Sequence, residues 1–166
     1  KIKKMSELDI PMIDLGAEST RPKSKLISAQ EEWSRLEPAL NEVRHFFQGR
    51  WFRPLISLDT TKSEVAERAL AQGVQIINDV KGLSDPKMLG LIKESQCDFV
   101  FMHSLTVPAN PEVCLPHDAD PVKELKTWLQ NKLKLFESQG INLDQAIFDP
   151  GIGFGKTAFQ SITLLR

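Results

Sequence analysis

The sequence predicts an α/β fold built on a parallel sheet, and three observations lead there. Short apolar runs that end abruptly in polar residues recur along the chain: Pro11 to Asp14, Pro54 to Asp59, Val74 to Asn78, Asp98 to His103 and Gln145 to Asp149. Their length and their β-branched or aromatic content favour buried parallel strands over helices. The segments between them carry helix start and stop signals, and strict alternation of strand and helix requires right-handed crossovers. Periodicity leaves barrel and open sheet both possible; in either, ligands meet the carboxyl ends of the strands.

Each helix has a local cause. Ser28 with Glu31, and Thr61 with Glu64, fit a capping box, in which the hydroxyl accepts a first-turn N–H and the Glu reaches back. Asp85 before Pro86 and Asp120 before Pro121 place a capping carboxylate ahead of a residue whose missing N–H costs nothing in the first turn. Gly73 and Gly140 suit the left-handed residue at a helix end. The longest helix candidate runs from Pro121 to Gln139, with Leu125, Trp128, Leu129, Leu133 and Phe136 on one face, so Trp128 is expected in the core.

Composition bounds the function. The 166 residues are 41% hydrophobic and 26% charged, without a linker or low-complexity tract, and are read as one unit over residues 1–166. A net charge of -1 supplies no global field for nucleic acid or an anionic membrane, so any anionic ligand must be held locally. No apolar run approaches the ~18 to 20 residues of a membrane span, which makes the cytoplasm the expected location. Cys97 and Cys114 are the only cysteines, too few for a disulfide framework, and are read as reduced thiols.

Five polar residues fall at strand ends: Asp14, Asp59, Asn78, His103 and Asp149. Singly, each reads equally well as a cap or turn former. Together they point to one rim. Asp59, Asn78 and Asp149 form an acceptor-rich set able to read the amino and ring N–H groups of a flat, pterin-like heterocycle. His103 is a candidate base or hydrogen-bonding anchor. Thr20 offers a hydroxyl and Arg21 a planar five-donor fork matched to pyrophosphate oxygens, with Pro22 stiffening the loop. The plain alternative is a solvated loop in which Arg21 pairs with Glu18. Gly151 to Thr157 follows a strand and ends in Gly155-Lys156-Thr157, but a phosphate loop would need Gly at Pro150, and a dinucleotide fingerprint would need it at Lys156. Gly151, Gly153 and Gly155 instead offer close backbone approach, and Lys156 a cation, to a planar or anionic ligand. No His-x-x-x-His or Cys-x-x-Cys spacing supports zinc, and no nucleophile elbow is present.

In this order, Asp14-Leu-Gly-Ala-Glu-Ser-Thr-Arg-Pro22, Ile56-Ser-Leu-Asp-Thr60, Ile77-Asn-Asp-Val80, Phe101-Met-His103 and Phe148-Asp-Pro-Gly-Ile-Gly-Phe-Gly-Lys-Thr157 resemble dihydropteroate synthase over nearly the whole chain. The resemblance implies a TIM barrel with a pterin pocket inside its carboxyl mouth. It implies condensation of 6-hydroxymethyl-7,8-dihydropterin pyrophosphate with 4-aminobenzoate to 7,8-dihydropteroate and pyrophosphate, in folate synthesis. Asp59, Asn78 and Asp149 would then read the pterin, with Met102 as a pocket wall. Thr20 and Arg21 would be the catalytic pair on a mobile loop, touching pyrophosphate and the aminobenzoate pocket. Pro22 and Phe154 would pack against aminobenzoate, where sulfonamides would sit, with His103, Gly153 and Lys156 in support. Magnesium is implied too, but the Asn that contacts it in the family is not found in this chain, and the resemblance points to no metal ligand among these residues. The family further suggests a homodimer.

Three departures from the family pattern touch the mouth: Ala17 in place of a second Gly, Ser104 to Pro111 after the histidine, and Gln160-Ser161 in place of His-Asn. A methyltetrahydrofolate methyltransferase would share the pterin pocket but has no pyrophosphate to hold, so the Glu18-Ser-Thr-Arg-Pro22 loop favours the synthase. A non-catalytic pterin-binding module is the other alternative. At about 33 residues per unit, the five strand–helix units correspond to the second to sixth of a barrel of ~250 residues. The stretch alone is expected to leave strand edges unpaired, fold poorly and lack turnover.

Overall fold

The computed structural model describes residues 10–166, and its backbone follows the predicted alternation. In chain order come β1 (Met12–Gly16), α1 (Ala29–Phe47), β2 (Leu55–Asp59), α2 (Ser63–Ala71), β3 (Ile76–Asp79), α3 (Pro86–Ser95), β4 (Asp98–Met102), α4 (Pro121–Gln139), β5 (Ala146–Asp149) and α5 (Ala158–Leu164). A 3-10 turn, Leu143–Gln145, leads into β5.

Most caps form where side-chain chemistry places them. Asp85 accepts from Lys87 N–H, and Asp120 from Val122 and Lys123 N–H, each ahead of a proline. Gly140 ends α4 in the left-handed conformation, with φ 72°. Ser28 accepts from Glu31 N–H, but only half the box forms, because the Glu31 carboxylate pairs with Arg35 one turn on. The predicted box at Thr61 does not form. Lys62 is the N-cap of α2 without a side-chain bond, because Thr60 Oγ1 takes the Lys62 N–H while donating to Glu32. Sequence reasoning missed the box that opens α5, where Thr157 and Gln160 bond reciprocally.

The sheet decides between barrel and open sheet. All neighbours are parallel and the order is β1-β2-β3-β4-β5. Right-handed crossovers between successive strands put every helix on one face, whereas a doubly wound sheet would reverse its order partway. The chain forms five consecutive βα units of a TIM barrel wall. Residues of one parity, among them Ile13, Leu58, Ile77, Phe99 and Phe101, face the helices and are almost fully buried. There they pack against Trp33, Leu36 and Leu40 of α1, Met88 and Ile92 of α3, and Phe136 of α4. The Phe99, Phe101 and Phe136 rings lie 5.0–6.1 Å apart at edge-on or tilted angles. Truncating any of them to Ala would cost about 3 to 5 kcal/mol. Trp128 stacks on Phe101 at 6.0 Å and is partly buried against this core.

The opposite parity faces the barrel interior. Gly16, Asp59, Asn78, Val100 and Ile147 form one row across the sheet. This face is partly open: Met12, Leu55 and Ile147 are 46%, 47% and 48% exposed.

Candidate active site

Asp59, the last residue of β2, and Asn78, the last but one of β3, are register partners, so their side chains stand side by side on the interior face. Gly16 pairs with Asp59 from the other side, and a Cβ there would come within 3.2 Å of the Asp59 Cβ, so glycine leaves that carboxylate its room. Burial pushes the Asp59 carboxyl up to about 7, with Asp14, Glu32, Asp79 and Glu18 adding like charge. Beside it, Asn78 Oδ1 is buried and, among the described residues, has no hydrogen-bond partner. A buried acceptor left unmatched costs about 1 to 3 kcal/mol, which a donor-bearing ligand would recover.

Asp14 does not end its strand. It lies inside β1 opposite Ser57, two residues below the Asp59 row, because the strand runs on through Leu15 to Gly16. Asp79 faces the helices instead. Its carboxylate accepts from Lys81 and Leu83 N–H and shapes the turn into α3.

Met102 and Asp149 are register partners one layer nearer the mouth, on the same face as Asp59 and Asn78. Asp149 Oδ1 accepts from Gly151 N–H at 2.7 Å, and Asp149 O from His103 N–H at 3.0 Å. His103 leaves the predicted rim. Next after Met102, its ring turns to the helix side, edge-on to Trp128 at 5.1 Å. Lys156 is also turned inward: Nζ lies 2.8 Å from His103 Nδ1 and within 3.0–3.2 Å of the carbonyls of His103, Gly151 and Phe154. It is an internal staple rather than an open cation for a ligand. Burial and the neighbouring ammonium hold His103 down at about 4, and burial brings Lys156 to about 8. The glycines correct a second reading. A Cβ on Gly151 would come 2.0 Å from His103 O, and one on Gly155 2.5 Å from Leu105, so the close approach at both is to the protein itself; at Gly153 no atom of the described residues lies within 4 Å.

Thr20, Arg21 and Pro22 sit in the loop between β1 and α1. Thr20 O accepts from Ala109 N–H at 3.0 Å, which joins this loop to the one after β4. Pro22 and Ala109 to Glu112 then face Gly153, Gly155, Lys156 and Thr157 across a cleft of about 380 Å³. Phe154 forms a turn with Gly151 at the tip of the loop after β5. Arg21 is exposed, and the alternative partner Glu18 does not bind it: Glu18 pairs with Lys62 at 2.8 Å. Gln160, a departure at sequence level, is fully buried and donates to Pro116 O at 2.8 Å, holding the mouth from below.

Glu32 and Lys62 were missed by sequence reasoning. The available signal was an acidic residue at a core-facing position of α1, in step with Leu36, Leu40, Val43 and Phe47. Among the described residues, no three His, Cys, Asp or Glu side chains come together as a metal site. No helix among them is long and apolar enough to cross a membrane.

A family model described as pterin binding enzyme matches residues 1–166. A dihydropteroate synthase of Synechocystis is 35% identical over 158 residues, covering 93% of this chain and 52% of its own length. The folate synthesis bifunctional protein of Chlamydia caviae is 37% identical over 157 residues, 93% of this chain but 35% of that protein. The dihydropteroate synthase of Anaplasma phagocytophilum, solved with 6-hydroxymethylpterin-monophosphate, superposes with a TM-score of 0.87 at 32% identity, covering 98% of this chain and 65% of that one. The Thermus thermophilus enzyme, solved with 4-aminobenzoate, gives 0.84 at 35% identity, covering 99% and 60%. The chain thus spans about a third to a half of these curated relatives.

Proposed function

The chain belongs to the pterin binding enzyme family, and on that premise we propose that it acts as a dihydropteroate synthase. The observation that carries the reading is the Asp59–Asn78 pair: a carboxyl raised to about 7 beside a buried amide oxygen that no described residue hydrogen-bonds, both on the interior face. Aminopyrimidine N–H groups are the complement of such acceptors. Asp149 extends the set by one layer, and Met102 beside it closes the pocket with apolar surface.

In the proposed reaction the C–O bond between the pterin methylene and pyrophosphate breaks, with its electron pair leaving on oxygen. The amine of 4-aminobenzoate forms the new C–N bond and releases a proton to water. Arg21 and Thr20 stabilise the charge that gathers on pyrophosphate, and the carboxylate of Asp59 favours positive charge spreading into the ring. Pro22 and Phe154 flank aminobenzoate, the place a sulfonamide would take. Lys156 and His103 act indirectly, by fixing the loop that carries Phe154. Positioning does most of the work, since a neutral aromatic amine needs no strong base.

The test is calorimetry of the full-length protein with a pterin pyrophosphate analogue, followed by turnover with 4-aminobenzoate. Binding and turnover are expected. Binding without turnover would make it a pterin-binding module, and no binding would overturn the reading.

A further inference from the structure

Glu32 is 1% exposed in the first turn of α1, where a carboxylate persists only if it is matched. Its Oε1 accepts from Thr60 Oγ1 at 2.6 Å, and its Oε2 meets Lys62 Nζ at 2.6 Å. The same Nζ lies 2.8 Å from Glu18 Oε2, and Glu18 Oε1 accepts from Ile27 N–H at 2.8 Å. One ammonium therefore joins the start of α1, the turn after β2 and both ends of the loop that contains Thr20 and Arg21. Pairing Glu32 alone would need only Lys62. Bringing in Glu18, whose side chain is 8% exposed, adds a second desolvated carboxylate and is worth its cost only if the loop has to be held. The middle of the loop has little else to hold it. Ser19, Arg21, Pro22, Lys23 and Lys25 are exposed, and its other tie to the body, among the described residues, is Thr20 O to Ala109 N–H.

We propose that Lys62 is a positioning residue: by gripping Glu18 against Glu32 it holds the base of the loop and so presents Thr20 and Arg21 to substrate without touching substrate itself. This rests on the synthase reading above. Releasing Glu18 spreads the loop over many conformations, and the competent fraction falls with them.

The test uses Glu18→Ala in the full-length protein, which leaves the buried Lys62–Glu32 pair intact. kcat/KM for 4-aminobenzoate should fall roughly tenfold or more, while the Kd of 6-hydroxymethylpterin, which has no pyrophosphate, stays within about threefold. Tryptic cleavage after Lys23 and Lys25 should become faster. The charge-balanced double variant Lys62→Met/Glu32→Gln should show the same pattern, and Lys62→Arg should keep most of the activity. Wild-type kcat/KM and tryptic rate in Glu18→Ala would overturn the proposal, as would equal loss of pterin affinity. A wild-type protein that neither binds pterin nor turns over would instead overturn the synthase reading, leaving the tryptic comparison to decide the clamp.

Discussion

Lys156 places its ammonium 2.8 Å from His103 Nδ1, across 53 positions of sequence, and thereby locks the loop after β5 onto the end of β4. The geometry sets the tautomer: an ammonium has only donors, so Nδ1 accepts and the imidazole is neutral. Three protons serve four acceptors, the ring nitrogen and the carbonyls of His103, Gly151 and Phe154. Lys156→Met would leave those buried acceptors unmatched, at about 3 kcal/mol or more. In a thermal melt of the full-length protein, Tm should fall by about 6 to 12 °C. A Tm within about 2 °C of wild type would mean the staple carries little stability.

Two glycines of one loop should separate under the same substitution. Gly151 has φ 66° and Gly153 φ 84°, so alanine is strained at both, by about 1 to 2 kcal/mol. Only at Gly151 would the new methyl also meet backbone, 2.0 Å from His103 O, where nothing can give way. Gly151→Ala should abolish soluble expression or lower Tm by more than about 10 °C, and Gly153→Ala by about 2 to 6 °C. Comparable losses in the two would contradict this account.

What could be read from sequence was local or periodic. The caps at Asp85 and Asp120 depend on residues adjacent in the chain, and both formed. Thr61 failed as a cap because a residue 28 positions away from Thr60, Glu32, drew Thr60 into a buried bond and reset the turn. Lys156 was misread for the same kind of reason. A lysine beside three glycines looks open to ligand until its acceptors, one of them 53 positions away, are known. The choice between barrel and open sheet rested on strand order, which depends on pairings that no local pattern encodes. The Asp59–Asn78 row was legible as two polar residues closing apolar runs but not as neighbours, because adjacency comes from register.

Arg21 is exposed and free of Glu18, so its removal should leave folding nearly unchanged. On the proposed function, Arg21→Ala in the full-length protein weakens binding of the pterin pyrophosphate substrate about tenfold or more, by loss of a charge-assisted contact. Affinity for 6-hydroxymethylpterin should change less than about threefold, since that ligand has no pyrophosphate for the guanidinium to hold. Parallel calorimetric titrations of the two ligands decide the matter, and equal losses would remove Arg21 from the pyrophosphate site.

Asp59 links stability, ligand binding and pH. Burial raises its carboxyl to about 7 in the folded chain against an ordinary value of 3.8. Between those values the folded state binds more protons than the unfolded state, so Asp59's contribution is complete below about pH 4 and is lost as pH rises through about 7. Asp59→Asn removes that loss. Its Tm should exceed wild type by about 2 to 6 °C at pH 8 and match it near pH 4. Function should move the other way, because an amide cannot replace an ionised acceptor: 6-hydroxymethylpterin affinity should drop about tenfold to a hundredfold. If the ligand's N–H donors select the carboxylate form, wild-type protein must release protons on binding near pH 7. The calorimetric enthalpy there should depend on the ionisation enthalpy of the buffer, and that dependence should vanish by about pH 9, where the free carboxyl is already ionised. A buffer-independent enthalpy at pH 7, or Tm curves for the two proteins that run parallel from pH 4 to 8, would show that Asp59 does not titrate in this window.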